Sequence, residues 1–550
     1  MGTPGHTTKL KAVIAALVFL GMGTLAHSAK DAPAGPFELW PEEPGATPTA
    51  YSKPAPPLPV QGLSWPKTKK PKGVPVTLKV DGAQTVAAIT PYQFGCNAAW
   101  WDSKSWLLDP DRIEKAKQAG IRFWRFPGGS SSDNYHWNND YSWHAKDKDG
   151  VDPSHMNQDW AVNTDSFIDF CKQTDSQAIL TANYAAARYG SPQKAGKLAA
   201  EWVKYFKQKG LPVQYWEIGN ECHGTWEEGH NLAGKPELTG AIYAKDLKVM
   251  ASAIRKADKD LYIGADSVEV DDGGDWTGYK WWLRDSLPLL KDQADYLIFH
   301  TYFFWPYDNA KNPIPQTPEM LFGYMDKVRQ GMDGFKAASQ KYAGRTWPIA
   351  FTEYNLNEDV TGTIVLTNAL FSAEVLGESI KWGYKAVNIW DWKNGYDAKN
   401  GGGDHGMLSQ GDPTVPDNTP RPTYYTYALY SQSFGDKMVG AESSDPQVKV
   451  YASRFSGGEG GFVVVNQSTE PKQAVIEISG FQAKGQVQAW IVTGPGLDSK
   501  KITWNGVEGP AGGGGPFPIQ PLPTYRMSFD PGKTLAVTLP PASVCGLVVY

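Results

Sequence analysis

A short apolar run followed by a helix-like stretch recurs eight times in this 550-residue chain, and that alternation constrains the fold more than any other feature. The apolar runs are Tyr92–Asn97, Ile121–Phe126, Ala178–Tyr184, Val213–Gly219, Tyr262–Ser267, Tyr296–Tyr302, Pro348–Tyr354 and Ala386–Trp392. Each is short, apolar and bounded by turn residues, as a buried parallel strand should be. Between them lie stretches with helical periodicity, among them Asp111–Gln118, Gln193–Lys209, Thr239–Ala257, Pro318–Lys341 and Thr363–Trp382. The first is announced by Asp109-Pro110, a capping residue ahead of a proline at the first helical position. A doubly wound open sheet uses the same order, but eight repeats favour closure. The expected fold class is therefore α/β, a (β/α)8 TIM barrel over residues 85–435.

After Tyr430 the helical pattern stops, and short strands such as Val448–Ser453, Gly461–Val465, Ala474–Ile478 and Val487–Val492 alternate with Gly, Pro and Ser turns. Residues 436–550 read as a C-terminal antiparallel β-sandwich. An alternating stretch within 73–84, Val74–Val80, lies outside the barrel and is expected to join that sandwich. Residues 30–72 are rich in Pro and Ala, lack either apolar period, and read as an extended linker.

Residues 1–29 read as a secretory signal peptide, with Lys9 and Lys11, an apolar run Ala12–Leu20, and small residues at Ala26, Ser28 and Ala29. That run is too short to span a bilayer, and no later segment offers a span. The expectation is a secreted or periplasmic protein without a membrane anchor. A formal net charge of -5 leaves no electrostatic footprint for nucleic acid. A surplus of aromatics, 22 Trp, 26 Tyr and 21 Phe, instead suits flat rings stacking on sugar faces. Cys96, Cys171, Cys222 and Cys545 lack metal-ligand spacing and read as buried free thiols.

Chemistry on a (β/α)8 barrel sits at the carboxyl ends of its strands. The fourth run ends Trp216-Glu217-Ile218-Gly219-Asn220-Glu221, and the seventh ends Phe351-Thr352-Glu353-Tyr354-Asn355. One Glu at such a place has an ordinary reading as an ion pair or solvated carboxylate. Two, each flanked by Asn and aromatics, form the pair that glycosidic cleavage requires, one protonating the leaving oxygen and the other attacking carbon or activating water. Glu217 is expected to pair with an Arg inside the barrel. Glu227 and Glu228, beside Trp226, are expected to be solvated, and Glu358 and Asp359 lie too far out.

These motifs resemble the clan A glycoside hydrolases over roughly residues 85–435. The resemblance implies a retaining enzyme on a (β/α)8 barrel, with Glu221 as acid/base after Asn220 and Glu353 as nucleophile. Phe351-Thr352-Glu353-Tyr354-Asn355 resembles family 44 endoglucanases, whereas Trp216–Glu221 is closer to some α-L-arabinofuranosidases. Cys222 stands where many members carry Pro. In this frame Arg125 is expected to hold Glu353 ionised, with an ordinary barrel ion pair as its alternative. His300 or Tyr302 would hydrogen-bond the nucleophile, Trp390 would stack beneath the reacting ring, and Asn220 would reach the sugar 2-hydroxyl. Trp137 and Trp226 are candidate stacking residues; Asn183, Tyr184, Asp266 and Ser267 are candidate hydroxyl binders.

The implied chemistry is double displacement, needs no metal or organic cofactor, and expects a raised pKa at Glu221. Trp100, Trp101, Trp137, Trp226 and Trp305 suggest an extended cleft, hence endo-action on a polysaccharide such as cellulose, xyloglucan or xylan. An exo-acting α-L-arabinofuranosidase would have a blocked pocket instead. A non-catalytic carbohydrate-binding protein would use the same aromatics without the paired Glu.

Overall fold

The computed structural model of the protein describes residues 51–67, 71, 73–139, 154, 156, 158–268, 281–304, 317–357, 361–399 and 402–550. The signal-like segment, residues 30–50, Trp305, Glu358 and Asp359 lie outside the described residues. A first strand, β1 (Val76–Ala88), precedes eight short parallel strands: β2 (Gly95–Asn97), β3 (Phe123–Phe126), β4 (Gln177–Ala182), β5 (Tyr215–Ile218), β6 (Tyr262–Asp266), β7 (Tyr296–Tyr302), β8 (Ile349–Asn355) and β9 (Ala386–Ile389). These eight close into a barrel, β9 pairing back onto β2.

Helices on the outside follow from local signals. Asp109 caps Pro110–Ala119 by accepting from the Asp111 amide, Ser191 caps Pro192–Gln208, and Thr239 caps Gly240–Ala257. The stretch expected as one helix over Pro318–Lys341 is two, Pro318–Gly323 and Asp326–Ala343. Inside the barrel, side chains form layers. Tyr92, Phe123, Ile179, Tyr215, Tyr296 and Ile298 fill the amino-terminal end, with Tyr92 and Phe123 edge to face at 4.8 Å. Two residues along β3 and β5 from Phe123 and Tyr215, the next layer is polar, Arg125 and Glu217, and both are fully buried. Reactive groups are thus confined to the opposite, carboxyl-terminal mouth.

Beyond the barrel come β10 (Lys437–Ser443), β11 (Val448–Arg454), β12 (Gly460–Asn466), β13 (Lys472–Ser479), β14 (Gln486–Thr493), β15 (Thr503–Trp504), β16 (Val507–Glu508), β17 (Tyr525–Ser528), β18 (Leu535–Leu539) and β19 (Ser543–Val549). They form one hydrogen-bonded sheet with β1, antiparallel except where β1 runs parallel to β13. Strands far apart in the sheet, β14 and β18 among them, contribute to one apolar core, so the sheet folds over on itself. Alternate residues on its other face, including Tyr451, Val463, Trp490 and Val548, pack into the barrel's own core cluster. Residues 51–67 are strapped down: Leu63 pairs with Tyr525, and the Lys53 side chain donates to the Phe434 carbonyl. All four cysteines are buried and free. Among the described residues no helix is long and apolar enough to cross a membrane.

Candidate active site

Two local distortions deliver the carboxylates. After β5 the chain turns at Gly219, φ 76°, where an added Cβ would lie 2.3 Å from the Cys222 sulfur. Glu221 itself holds φ 39°, a left-handed conformation that costs a non-glycine residue roughly 1–3 kcal/mol and recurs at functional sites. On β8 the pairing register shifts between Phe351 and Tyr354, and the β7 register shifts opposite it at Phe299/His300. Such a bulge re-aims side chains, so the neighbours Thr352 and Glu353 both serve the same site.

Arg125 organises the floor. Its Nη1 donates to Glu353 Oε1 at 2.6 Å and to Asn97 Oδ1 at 3.1 Å; its Nε donates to Glu217 Oε2 at 2.6 Å; its Nη2 donates to Asn220 Oδ1 at 2.9 Å. Arg125 is thus at once the partner of Glu353 on β8 and of Glu217 on β5. The Tyr302 hydroxyl donates to the other oxygen of Glu353 at 2.8 Å. His300 takes a different partner: its Nδ1 lies 2.9 Å from Glu221 Oε1 and 3.9 Å from Glu353 Oε1, while Nε2 meets Thr352 Oγ1 at 3.0 Å. Trp226, partly exposed, donates Nε1 to Glu221 Oε2 at 2.9 Å. One oxygen of Glu221, one of Glu353 and a ring nitrogen of His300 all lie within 4.8 Å of one another.

Those three groups could in principle offer ligands to a metal ion. Arg125 and Tyr302 already occupy both Glu353 oxygens, and a cation there would face a guanidinium, so the donor set suits proton transfer better.

The electrostatics correct one expectation. Burial pushes Glu221 upward, but the hydrogen bond and charge of His300, with His223 and Trp226 assisting, outweigh it and bring its pKa down to about 2. His300 moves the opposite way. Its burial lowers it, yet Glu353 and the bond to Glu221 hold it above the ordinary histidine value.

A second correction concerns the loop after Glu221. Glu227 and Glu228 are buried rather than solvated. Glu227 Oε1 accepts from Ser130 Oγ at 2.8 Å and from Asn220 Nδ2 at 3.0 Å, and burial with Asp133 and Glu221 nearby raises its pKa well above the carboxylate range. Glu228 accepts from the Tyr189 hydroxyl. The sequence offered one signal for this, a Gly-rich, Trp-bearing loop directly after the strand end.

Other candidates separate cleanly. Trp390 packs against Gly129, where a Cβ would meet its ring at 2.8 Å, and against Trp101 at 5.9 Å. Trp137 instead stacks parallel on Trp202 and donates to the Leu198 carbonyl, among the outer helices. Asn183 accepts from the Ala186 amide, Tyr184 donates to Asp246, Asp266 holds His223, and Ser267 donates to the Ile298 carbonyl, so all four have structural partners.

No family model matches the chain. It is 21% identical over 274 residues to an intracellular exo-α-(1→5)-L-arabinofuranosidase of Acetivibrio thermocellus, covering 45% of this chain and 50% of that protein. An enzyme of the same name from Bifidobacterium longum is 22% identical, over 35% of this chain and 34% of the relative. The chain thus spans half or less of these relatives' length. Among solved structures, an α-L-arabinofuranosidase of Thermotoga maritima superposes with TM-score 0.62 at 18% identity, covering 86% of this chain and 99% of that one. A family 44 xyloglucanase of Paenibacillus polymyxa gives TM-score 0.59 at 17% identity over 86% and 99%. These relatives and neighbours are glycoside hydrolases, and the barrel with its appended sheet is a fold they share.

Proposed function

We propose that the chain is a retaining glycoside hydrolase that cleaves within plant β-glycans such as cellulose, xyloglucan or xylan. The observation carrying this reading is the approach of Glu221 and Glu353 to within 4.8 Å, oxygen to oxygen. Retaining enzymes hold their carboxyl groups about 5–5.5 Å apart, whereas inverting ones leave about 6.5–9.5 Å for a water. Glu353, held by Arg125 and Tyr302, attacks the anomeric carbon. Glu221 serves the leaving oxygen, and water then releases the glycosyl ester by the reverse path. Asn220, its carbonyl fixed by Arg125, keeps an amide N–H for a sugar hydroxyl.

Aromatic placement supports action within a chain. Trp226 donates to Glu221, while Trp390, Trp101, Trp100 and Trp160 follow one another at 5.9, 5.9 and 5.7 Å. Trp160 ends that run nearly half exposed. A run of rings that leads from the end of β9 outward to the surface suits more than one sugar unit. The second reading, exo-action on α-L-arabinofuranosides, is favoured by the names of the curated relatives. The Lys9-to-Ala29 pattern supports export from the cytoplasm.

Glu353→Gly is expected to abolish turnover on an aryl glycoside, and azide to restore part of it as a glycosyl azide. Unrescued loss would overturn the assignment of Glu353 as nucleophile. On glycan panels, a ladder of oligosaccharides supports endo-action, and free arabinose alone supports the second reading.

A further inference from the structure

Resting on the glycosidase reading, we propose that the acid proton of this site is stored on His300 rather than on Glu221, the two residues acting as one proton-transfer pair.

The geometry is that of a short relay. His300 Nδ1 faces Glu221 Oε1 at 2.9 Å, and its Nε2 faces Thr352 Oγ1 at 3.0 Å. A hydroxyl both accepts and donates, so Thr352 satisfies Nε2 whether or not the ring carries its second proton. The ring can therefore release a proton toward Glu221 without moving. Glu221 is fixed from its other side by Trp226 Nε1, which leaves its carboxylate well solvated by donors and poorly placed to keep a proton of its own.

The surrounding charges point the same way. Two carboxyl groups, Glu217 from β5 and Glu353 from β8, pair with the guanidinium of Arg125 from β3, whereas Glu221 from the loop after β5 pairs with His300. Arg125 bonds Glu217 and Glu353 and does not reach Glu221. His223, the other cation-forming group acting on Glu221, is bound to Asp266 of β6. Tyr302, on the same strand as His300, donates to Glu353. A proton on His300 is thus the charge that balances Glu221, and the raised pKa of the imidazole agrees with that arrangement.

The step balances within the site. In the first half-reaction the Nδ1–H bond of His300 breaks as Glu221 gains the proton, and Glu221 passes it to the departing oxygen. The glycosidic C–O bond breaks while Glu353 bonds the anomeric carbon. In the second, water's oxygen bonds that carbon, the Glu353 ester bond breaks, and water's proton returns through Glu221 to His300. His300 acts through Glu221 and is a positioning and proton-storing residue.

The test is the pH profile of kcat/KM for His300→Gln, which keeps a hydrogen-bond donor but holds no titrating proton. The wild-type alkaline limb is expected above the ordinary histidine value, and the variant's to fall by at least about one pH unit. Near neutrality the variant should lose far more activity on glycans than on activated aryl glycosides, whose leaving groups need no proton. An unchanged alkaline limb overturns the proposal. Should the variant fail to fold, 15N-histidine NMR decides on the wild-type chain and Glu221→Gln: one ring protonated near pH 7 in the first should become neutral in the second. Rings that are neutral in both overturn it equally. Absence of hydrolysis by the wild-type chain on aryl glycosides and on every glycan of the panel would instead remove the glycosidase reading itself.

Discussion

Replacing Glu374 with Gln isolates one electrostatic cost at the seam between barrel and sheet. Glu374 lies on the helix Leu366–Trp382 and is buried against the outer sheet; one oxygen accepts from Gln467 and the other has no partner among the described residues. Burial raises its pKa from 4.5 to about 7, with the Gln467 bond and Lys449 only partly opposing. Because the folded pKa exceeds the unfolded one, the protonated form supports the fold. That contribution is full below pH 4.5 and is lost as the pH rises through about 7. Each pKa unit corresponds to about 1.4 kcal/mol, so the loss over the shift from 4.5 to about 7 is at most about 3–4 kcal/mol. Gln is neutral throughout and keeps an oxygen for Gln467. Denaturant titrations of both proteins, acidic and alkaline to that range, give the difference in which all other titrating groups cancel. The variant should gain on the wild type by up to about 3–4 kcal/mol on the alkaline side. Curves that stay parallel across the range would refute the idea that this carboxyl is buried neutral.

Arg125→Lys replaces a fork that spans Glu217, Glu353 and Asn220 with one ammonium that cannot. Leaving a buried carboxylate unpaired costs about 3–5 kcal/mol, so kcat/KM should fall at least about a hundredfold with a clear drop in Tm; a change within threefold would contradict the network. Glu227→Ala should lower kcat about tenfold or more, as Ser130 and Asn220 each lose an acceptor worth about 1 kcal/mol. Glu227→Gln should recover most of that loss, because the carboxyl is held neutral by burial.

Barrel strands were legible because they are buried on both faces, and an eightfold apolar rhythm needs no tertiary knowledge to detect. The appended sheet was legible in kind but not in path. Its folding onto one core with a parallel β1–β13 pair depends on contacts between segments about 400 residues apart, and no local period encodes them. The division of Pro318–Lys341 into two helices escaped for the opposite reason, since it turns on a few backbone dihedrals within one continuous apolar pattern.

At the site, position was legible and protonation was not. Strand ends nominate Glu221, Glu353, His300 and Tyr302, and spacing by two along β7 rightly places His300 and Tyr302 on one face. The same rule would send Thr352 and Glu353 to opposite faces, and only the bulge in β8 brings both inward. That bulge decides the electrostatics, because it sets Thr352 under His300 Nε2 while Glu353 turns to Arg125 and Tyr302. With Glu353 already satisfied, His300 is free to face Glu221, and a carboxyl expected to hold a proton is held ionised instead. On the proton-storage proposal, a one-residue irregularity in pairing moves the working proton from a carboxylic acid to an imidazole. An enzyme so arranged keeps its acid form available at a higher pH than an isolated glutamic acid would allow.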